Sequence, residues 1–373
     1  MTLSVVLAGG GTTGHVGPLL ALADCLRRRD GATKIVALGT SEGLESRLVP
    51  AAGYDLQVVP RVPLPRRPTA DLLRLPGKLS TAVAAAAKAI EGVDVVVGFG
   101  GYVSAPAYLA ARRLGVPIVV HEANARPGVA NRLGARFADD VAVTFPGTPL
   151  GRNGGKAAEV VGLPLRQSIT QLDRAAQRET ARVALGLDSG RPTLLVTGGS
   201  LGAQKLNDTF GAAAPALLDA GVQVLHAAGQ GKEVPLPESA RSRPYGLPRY
   251  EVVEYLERMD LAYAAADLIV CRAGAGSVAE AAAVGLPACF VPLPIGNGEQ
   301  RFNAAPVVEA GGALMVDNEA CTPEWVVGTV IPLLADDRRL IAMGRAAEAF
   351  GIRDADERLA AIVEKAARRG VTG

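Results

Sequence analysis

The amino-acid sequence predicts an α/β protein made of two Rossmann-like domains, each with a doubly wound parallel sheet, with a cleft between them. Short apolar runs alternate with helical patterns along the whole chain, which is typical of parallel sheets with right-handed crossovers. Two glycine-rich turns, at 9–14 and 198–203, each follow an apolar run and precede a helical pattern. The length of 373 residues also favours several domains over a single core.

Ten apolar runs predict the buried strands, five in each half of the chain. They lie at 5–7, 35–38, 93–97, 118–120 and 141–143, and then at 194–196, 222–225, 268–271, 288–291 and 314–316. The first helix is expected between Pro18, which suits a first turn, and the basic residues 27–29, which suit a last turn. The predicted domains are 1–164 and 165–349, and a C-terminal helix at 350–373 is expected to pack back onto the first domain.

Charge and cysteine content narrow the classes of partner and compartment. Residues 1–164 hold 18 Lys and Arg against 12 Asp and Glu, a net charge of +6, whereas residues 165–373 hold 21 against 25, a net charge of −4. The first half is therefore expected to meet an anionic partner, and no nucleic-acid partner is expected. The four cysteines form no CxxC pair, which is typical of buried thiols in a reduced cytosolic protein. Neither a signal peptide nor a membrane span is predicted.

The first glycine-rich turn places Gly9, Gly11 and Gly14 in the GxGxxG spacing of dinucleotide-binding folds. That fingerprint also requires an acidic residue at the end of the second strand, where it binds a ribose. The second predicted strand ends at 37–41 without Asp or Glu, and Glu42 lies in the loop beyond. The turn therefore predicts a phosphate-bearing ligand bound by unpaired backbone N–H groups, and it disfavours a nicotinamide cofactor.

His15, one of three histidines, follows this turn at the start of the predicted helix. The positive end of a helix favours the neutral imidazole, which can accept a proton. His15 is therefore the candidate general base, and a purely structural hydrogen bond to the loop is the alternative.

Two further segments of the first half follow predicted strands, at the sheet edge where open parallel sheets bind ligands. These are the turn 98–106, with Gly100, Gly101, Tyr102 and Ser104, and the segment from His121 to Asn124, with Asn131 beyond it. Both are interpreted as contacts to an anion or a sugar. The alternatives are a tight strand–helix turn and a structural pair of His121 and Glu122.

In the second half, the segment 272–280 follows a predicted strand, and its small residues allow the backbone to approach a ligand closely. Glu280 is expected inside the first turn of the next helix, where it either complements the helix dipole or hydrogen-bonds ribose hydroxyls. The polar loop 292–300 precedes another predicted helix, and Glu299 and Gln300 are candidate contacts to sugar hydroxyls.

In this order, the motifs resemble those of the MurG family of bacterial cell-wall glycosyltransferases over nearly the whole chain. The segments that carry the resemblance are 10–16, 98–106, 121–124, 161–166, 198–203 with Asn207, 254–256 and 273–300. The resemblance implies a GT-B fold whose second domain holds most of the nucleotide. It also implies inverting transfer of N-acetylglucosamine from UDP-GlcNAc to the muramoyl C4 hydroxyl of lipid I, the undecaprenyl-linked muramoyl-pentapeptide, giving lipid II.

The resemblance also implies roles for single residues. Donor contacts are implied for Thr12, Thr13, Gly14, Asn124, Arg166, Ser200, Asn207, Leu256, Ala275, Gly276, Ser277, Val278, Ala279, Glu280, Glu299 and Gln300. Acceptor and diphosphate loops are implied at Gly10, Gly11, Gly100, Gly101, Tyr102, Ser104, Glu122 and Asn131. Thr13, Gly17 and Glu299 depart from the usual family pattern. No cofactor is implied, and no DxD-like acidic pair that would hold a metal ion ends a predicted strand.

The segment 61–78 interleaves prolines, leucines and basic residues within the half that carries the +6 charge. Contact with an anionic membrane surface is predicted for Arg66, Arg67, Leu72, Leu73, Arg74 and Leu75. The alternative is that these leucines pack on their own domain. Together with a lipid-linked acceptor, this segment predicts a peripheral enzyme on the cytoplasmic side of the bacterial plasma membrane. Other cell-wall synthesis and division proteins are the expected protein partners.

Three other functions compete with this one. A GT-B enzyme that glycosylates another lipid, such as diacylglycerol, would differ in donor and acceptor preference. An oxidoreductase would bind NAD(P)H. A non-catalytic nucleotide-sugar sensor would bind the donor without forming product, and the presence of His15, Glu280 and Gln300 argues against it.

Overall fold

The computed structural model describes residues 2–62, 71–151, 157–200, 202–244, 246–295 and 297–371. The chain divides into two compact units. The first comprises Met1–Arg166 together with Arg353–Gly373, and the second comprises Gln167–Ile352.

The first unit contains a seven-stranded sheet in which all neighbouring strands are parallel. Its strands are β1 (Ser4–Gly9), β2 (Lys34–Gly39), β3 (Asp55–Val58), β4 (Val95–Gly100), β5 (Ile118–Glu122), β6 (Asp140–Val143) and β7 (Glu159–Val160). Across the sheet they follow the order 3-2-1-4-5-6-7. The strand order therefore reverses between β1 and β4, and such a switch point is where parallel sheets bind ligands.

Helices cover both faces of this sheet. They are α1 (Thr13–Arg29), α2 (Glu45–Ala51), α3 (Asp71–Ile90), α4 (Ser104–Leu114), α5 (Val129–Gly134) and a C-terminal helix (Ala355–Val371). One apolar cluster joins the sheet to α1 and the C-terminal helix. A second cluster joins the opposite face to α3 and α4.

The C-terminal helix is held on α1 by apolar contacts and by ion pairs. Val363 is fully buried in the shared cluster. Arg28 pairs with Asp356 at 2.8 Å, and Arg29 pairs with Glu364 at 2.8 Å. The end of the chain is thus a structural part of the first unit.

The second unit contains a six-stranded parallel sheet. Its strands are β8 (Thr193–Thr197), β9 (Gln223–Ala227), β10 (Tyr250–Val253), β11 (Leu268–Cys271), β12 (Ala288–Phe290) and β13 (Ala313–Met315), in the order 10-9-8-11-12-13. The helices are α6 (Gln167–Thr170), α7 (Arg174–Ala184), α8 (Gln204–Asp219), α9 (Glu238–Arg241), α10 (Met259–Ala265), α11 (Ala275–Ala283), α12 (Glu299–Glu309), α13 (Pro323–Trp325), α14 (Ile331–Leu334) and α15 (Asp337–Phe350), with a π-helical turn at Val326–Val330.

The predicted fold class, two parallel-sheet α/β domains, is confirmed. All ten predicted strands are present. The structure adds β3 and β7 at the two edges of the first sheet and β10 at one edge of the second.

Among the described residues, no helix combines the length and the apolar character needed to cross a membrane. Of the predicted membrane contacts, Arg66 and Arg67 lie outside the described residues, and so do the side chains of Leu72, Leu73 and Arg74. Leu75, in α3, is partly buried and packs against the apolar cluster of the first unit. Leu75 therefore packs on its own domain, which is the alternative to membrane contact given above.

Candidate functional site

Two glycine-rich loops at the carboxyl ends of β1 and β4 pack against each other in the first unit. Gly9 and Gly100 are neighbours in the strand register. A Cβ at position 101 would overlap the carbonyl oxygen of Gly10. Gly100 and Gly101 also have φ values of +98° and +83°, which only glycine adopts without strain. Glycine is thus required here both for the backbone conformation and for the close approach of the two loops.

His15 lies in the first turn of α1 with its imidazole beside these loops. Its Nδ1 lies 3.0 Å from the carbonyl oxygen of Gly10 and 3.3 Å from Oγ1 of Thr12. Because a carbonyl oxygen can only accept a hydrogen bond, Nδ1 carries the proton. Nε2 is then the basic nitrogen of the neutral ring, and a Cβ on Gly100 would lie 3.1 Å from it. This is the tautomer that a general base acting through Nε2 requires.

Ser104 and Tyr102 of the second loop differ in exposure. Ser104 is fully buried, and its Oγ accepts from the N–H of Gly100 at 3.0 Å and lies 2.9 Å from the carbonyl oxygen of Ala8. It therefore joins the ends of β1 and β4. Tyr102 is 41% exposed, and the Arg61 guanidinium lies 4.6 Å from its ring centroid. Of these two predicted contacts, only Tyr102 presents its side chain at the surface.

Glu122 and Asn131, also predicted as acceptor-loop residues, are buried in a hydrogen-bond network. Oε1 of Glu122 accepts from the N–H of Asn124 at 2.9 Å, and Oε2 accepts from the N–H of Gly128 at 2.9 Å and from Nδ2 of Asn131 at 3.0 Å. Oδ1 of Asn131 accepts from the Tyr108 hydroxyl at 2.7 Å. The network holds the loop after β5, in which Asn124 is half-buried.

The second glycine-rich turn joins β8 to α8 in the second unit. Gly202 packs so closely on the neighbouring loop that a Cβ would overlap the carbonyl oxygen of Ala228. Ser200 is half-buried in this turn. No side chain caps α8, so the N–H groups at its start are suited to an anion.

Asn207, predicted as a donor contact, is fully buried within α8. Its Nδ2 donates to the carbonyl oxygen of Ala228 at 3.1 Å, and its Oδ1 lies 3.1 Å from Nε2 of His226. The His226 Nδ1 lies 2.7 Å from the Tyr250 hydroxyl. Since Oδ1 only accepts, His226 carries its proton on Nε2. Asn207 therefore links α8 to the strands behind the turn.

Glu280 lies in the second turn of α11, not in the first turn that the sequence pattern suggests, because the helix begins at Ala275. The helix dipole acts mainly within the first turn, so complementing it is a weak reason for a carboxylate here. Its Oε2 accepts a hydrogen bond of 2.7 Å from the hydroxyl of Tyr263, which is 1% exposed. Tyr263 thus orients the carboxylate. No sequence signal connects these two residues, which belong to different helices.

Gln300 joins the loops that follow β11 and β12. Its Oε1 accepts from the N–H of Ala273 at 3.2 Å and from the N–H of Leu293 at 2.9 Å. With its oxygen occupied in this way, the group of Gln300 that can still form hydrogen bonds outside these two loops is its NH₂ donor. Arg272 supports the same region, because its Nη1 donates to the carbonyl oxygen of Val291 at 3.0 Å.

The other predicted donor residues differ in how exposed they are. Arg166 is exposed and ends the first segment of the first unit. Leu256 is buried after β10. The side chain of Thr13 lies outside the described residues. Ala275 and Val278 are buried. The predicted donor residues that are half-buried are Gly14, Gly276, Ser277, Ala279 and Glu299.

In the described part of the chain, one group of metal-ligand side chains lies close together, formed by Cys25, Asp356 and Glu357. Arg28 pairs with Asp356 at 2.8 Å, and Arg29 pairs with Glu357 at 2.7 Å. Burial raises the pKa of the Cys25 thiol to about 12. Because arginines already neutralise both carboxylates, we assign this group to the packing of the C-terminal helix on α1.

Two buried histidines predict that folding is sensitive to acid. Burial lowers the pKa of His121 to about 4 and that of His226 to about 3, against about 6.5 in an unfolded chain. Between these values the unfolded chain binds more protons, so the free energy of unfolding falls as the pH falls below about 6.5. Each histidine should lower it by about 2 kcal/mol at a pH of about 5. In urea denaturation, His226→Gln should lose its share of this pH dependence, and an unchanged dependence would contradict the assignment.

Comparison with known proteins connects both units to one family. The glycosyltransferase family 28 N-terminal domain matches residues 5–143, and the family 28 C-terminal domain matches residues 193–359. A relative from Nocardioides sp. is 61% identical over 97% of each chain, and one from Streptomyces avermitilis is 58% identical over 98% of each chain. Both are named UDP-N-acetylglucosamine–N-acetylmuramyl-(pentapeptide) pyrophosphoryl-undecaprenol N-acetylglucosamine transferase.

Solved structures show the same relationship. A crystal structure of MurG from Acinetobacter baumannii matches with a TM-score of 0.76 at 30% identity, covering 97% of this chain and 99% of that one. A UDP-glucose: anthocyanidin 3-O-glucosyltransferase matches with a TM-score of 0.69 at 16% identity, which shows a shared fold alone. Together with the family 28 matches, the two parallel-sheet units identify the chain as a glycosyltransferase of the GT-B fold. Within that class, the chain belongs to the MurG family of glycosyltransferase family 28.

Proposed function

We propose that this protein transfers N-acetylglucosamine from UDP-GlcNAc to the muramoyl C4 hydroxyl of lipid I, giving lipid II with inversion at the anomeric carbon. The observation that carries this proposal is the identity of 58–61%, over nearly the full chain, to relatives named for this transfer. A diacylglycerol acceptor or a nicotinamide cofactor has no comparable support.

In this proposal the second unit holds most of the donor. The N–H groups at the starts of α8 and α11, neither of which is capped by a side chain, bind the diphosphate. Glu280 takes the ribose hydroxyls, Leu256 offers backbone groups to the uracil, and the NH₂ group of Gln300 reaches the sugar. The remaining donor contacts are Ser200, Glu299, Arg166 and Asn124, together with residues 12–14.

The first unit supplies the base. Nε2 of His15 accepts the proton of the muramoyl hydroxyl while that oxygen forms a bond to C1 of N-acetylglucosamine. The bond between C1 and the diphosphate oxygen breaks on the opposite side, and UDP leaves with the bonding electrons. Helix N-termini stabilise the charge that develops on the diphosphate. Because attack and departure occur on opposite faces, an α-linked donor gives a β-linked product.

The proposal is tested by incubating the protein with UDP-GlcNAc and a short-chain, water-soluble lipid I analogue. UDP release should accompany a product that is heavier by one N-acetylhexosamine residue. UDP-glucose, UDP-galactose and a diacylglycerol acceptor should support little transfer. Product from diacylglycerol but not from the lipid I analogue would favour the competing lipid glycosyltransferase, and donor binding without any product would favour a sensor.

We also propose that the segment 66–74 contacts an anionic membrane on the cytoplasmic side, near other cell-wall synthesis and division proteins. The net charge of +6 in the first half and a lipid-linked acceptor support this placement. Each basic residue near such a surface contributes about 1 kcal/mol, and apolar side chains add to the binding.

Serine at both Leu72 and Leu73 should reduce sedimentation with anionic liposomes and leave turnover of the water-soluble analogue unchanged. Raised salt should release the unmodified protein, since screening weakens the attraction. Leu75→Ser is the matched control: it should lower the melting temperature, because Leu75 packs on the core, while the folded protein still sediments. Unchanged sedimentation of the double variant would place the contact elsewhere.

A further inference from the structure

Glu45, the first residue of α2, is a fully buried carboxylate beneath the first glycine-rich turn. Oε2 accepts a hydrogen bond of 2.8 Å from the N–H of Gly11. Oε1 accepts from the N–H and from the hydroxyl of Thr40, each at 2.8 Å. Among the described residues, no cation pairs with this carboxylate. A charge buried without a counter-ion is costly unless hydrogen bonds satisfy it, so these donors are what keep it in place.

Three glycines surround the Glu45 side chain, and the absence of a Cβ at each of them leaves the space that it fills. A Cβ on Gly10 or Gly43 would overlap the carboxylate, and a Cβ on Gly39 would overlap Cγ of Glu45. Burial by itself would raise the pKa of the Glu45 carboxyl, but the N–H donors of Gly11 and Thr40 outweigh it and the pKa is lowered. The negative charge is therefore retained inside the fold.

One peptide group connects this charge to the base. The Gly10–Gly11 peptide donates its N–H to Glu45, and its carbonyl oxygen accepts from Nδ1–H of His15 at 3.0 Å. Hydrogen bonds in such a chain polarise one another, so a carboxylate on the N–H side makes the carbonyl a stronger acceptor. A stronger acceptor favours the Nδ1–H tautomer and leaves Nε2 as the proton acceptor.

We propose that Glu45 is a positioning residue for His15, acting through the Gly10–Gly11 peptide to fix the imidazole tautomer and orientation. This inference rests on the proposed function only for the role of His15 in transfer. The arrangement also means that the Gly11 N–H, which the sequence pattern assigns to an anionic ligand, is already occupied by Glu45.

The tautomers give a test that does not depend on activity. His121 donates from Nε2 to the carbonyl oxygen of Gly162 at 2.9 Å, and His226 also carries its proton on Nε2. His15 should therefore be the one Nδ1–H histidine among the three in this chain. Nitrogen-15 NMR of histidine-labelled protein, with His15 assigned by its loss in His15→Gln, measures this directly. An Nε2–H signal for His15 in the unmodified protein overturns the proposal.

Glu45→Gln keeps the shape and removes the charge. It should convert part of the His15 signal to the Nε2–H tautomer and lower kcat by about 10- to 100-fold, less than the roughly 10⁴ lost when a direct carboxylate partner is neutralised. The KM for the donor should stay unchanged. Thr40→Val is the matched control, because it removes one hydrogen bond to Oε1 and leaves the bond from Gly11 to Oε2. That variant should lose stability but keep both the tautomer and kcat.

Each outcome decides the question. A Glu45→Gln protein with an unchanged tautomer and unchanged kcat shows that Glu45 only fills space. Equal losses of kcat in Glu45→Gln and Thr40→Val show that stability, not tautomer control, is responsible. If Glu45→Gln fails to fold, Glu45→Asp replaces it, because the shorter side chain draws the carboxylate away from the Gly11 N–H. That variant should also convert part of the His15 signal to the Nε2–H tautomer, and an unchanged tautomer overturns the proposal. The NMR spectra report the His15 tautomer even if the transferase assay shows no product. The proposed function and the proposed role of Glu45 can therefore be disproved independently.

Discussion

Replacement of His15 with alanine is expected to lower kcat by about 10²- to 10⁴-fold, the usual loss on removing a general base. The affinity for UDP-GlcNAc should change little, because a base acts mainly in the transition state. The structural reason is the tautomer: Nδ1 is held by the Gly10 carbonyl at 3.0 Å, which leaves Nε2 as the proton acceptor. Turnover on the water-soluble acceptor and calorimetric titration with UDP-GlcNAc measure the two quantities separately.

His15→Gln is the control for the shape of the side chain, since an amide cannot accept the proton but retains polar atoms. Both variants should show the same deficit in kcat and melt near the unmodified protein. Equal losses in donor affinity and in turnover would instead identify His15 as a ligand contact. Full activity in either variant would mean that another group takes the proton.

Replacement of Glu280 with alanine is expected to weaken UDP binding by about 10- to 100-fold, corresponding to about 1.5–3 kcal/mol. A carboxylate that accepts hydrogen bonds from ribose hydroxyls makes charge-assisted bonds, and alanine makes none. Helix-dipole complementation is a weak competing explanation, because Glu280 lies in the second turn of α11. Titration with UDP measures the loss.

Two controls sharpen this prediction. The unmodified protein should discriminate UDP from 2′-deoxy-UDP, and the Glu280→Ala variant should not. Tyr263→Phe removes the hydroxyl that donates to Glu280 at 2.7 Å and should cause a smaller loss. Since Tyr263 acts through Glu280, the double variant should bind UDP like Glu280→Ala alone. Unchanged UDP affinity in Glu280→Ala would leave the ribose without an assigned partner.

Local patterns located the loops well, because a strand, a glycine turn and a helix start are neighbours in the chain. Local patterns did not predict any role for Glu45 or Tyr263. Glu45 lies 34 residues from Gly11, whose N–H donates to it, and Tyr263 lies 17 residues from Glu280. Only the tertiary structure places α2 beneath the first turn and brings the Tyr263 hydroxyl of α10 within 2.7 Å of Glu280 in α11.

The strands also divide into those that the local sequence predicts and those that it does not. Ten buried strands are visible in the sequence because both of their faces are covered, which produces continuous apolar runs. The three that it does not reveal, β3, β7 and β10, lie at sheet edges. In β3 three of the four residues are exposed, so no apolar run marks it.

By itself, then, the sequence determined the fold class, the family resemblance, the glycine turns and the candidate base, all of which follow from residues close together in the chain. Only the tertiary structure decided which of the predicted site residues are buried and hydrogen-bonded inside the protein. Ser104, Glu122, Asn131 and Asn207 are turned inward and hydrogen-bonded within the protein. The physical reason is that these bonds join residues 9–96 positions apart in the chain, which come into contact only when the strands, helices and loops pack together.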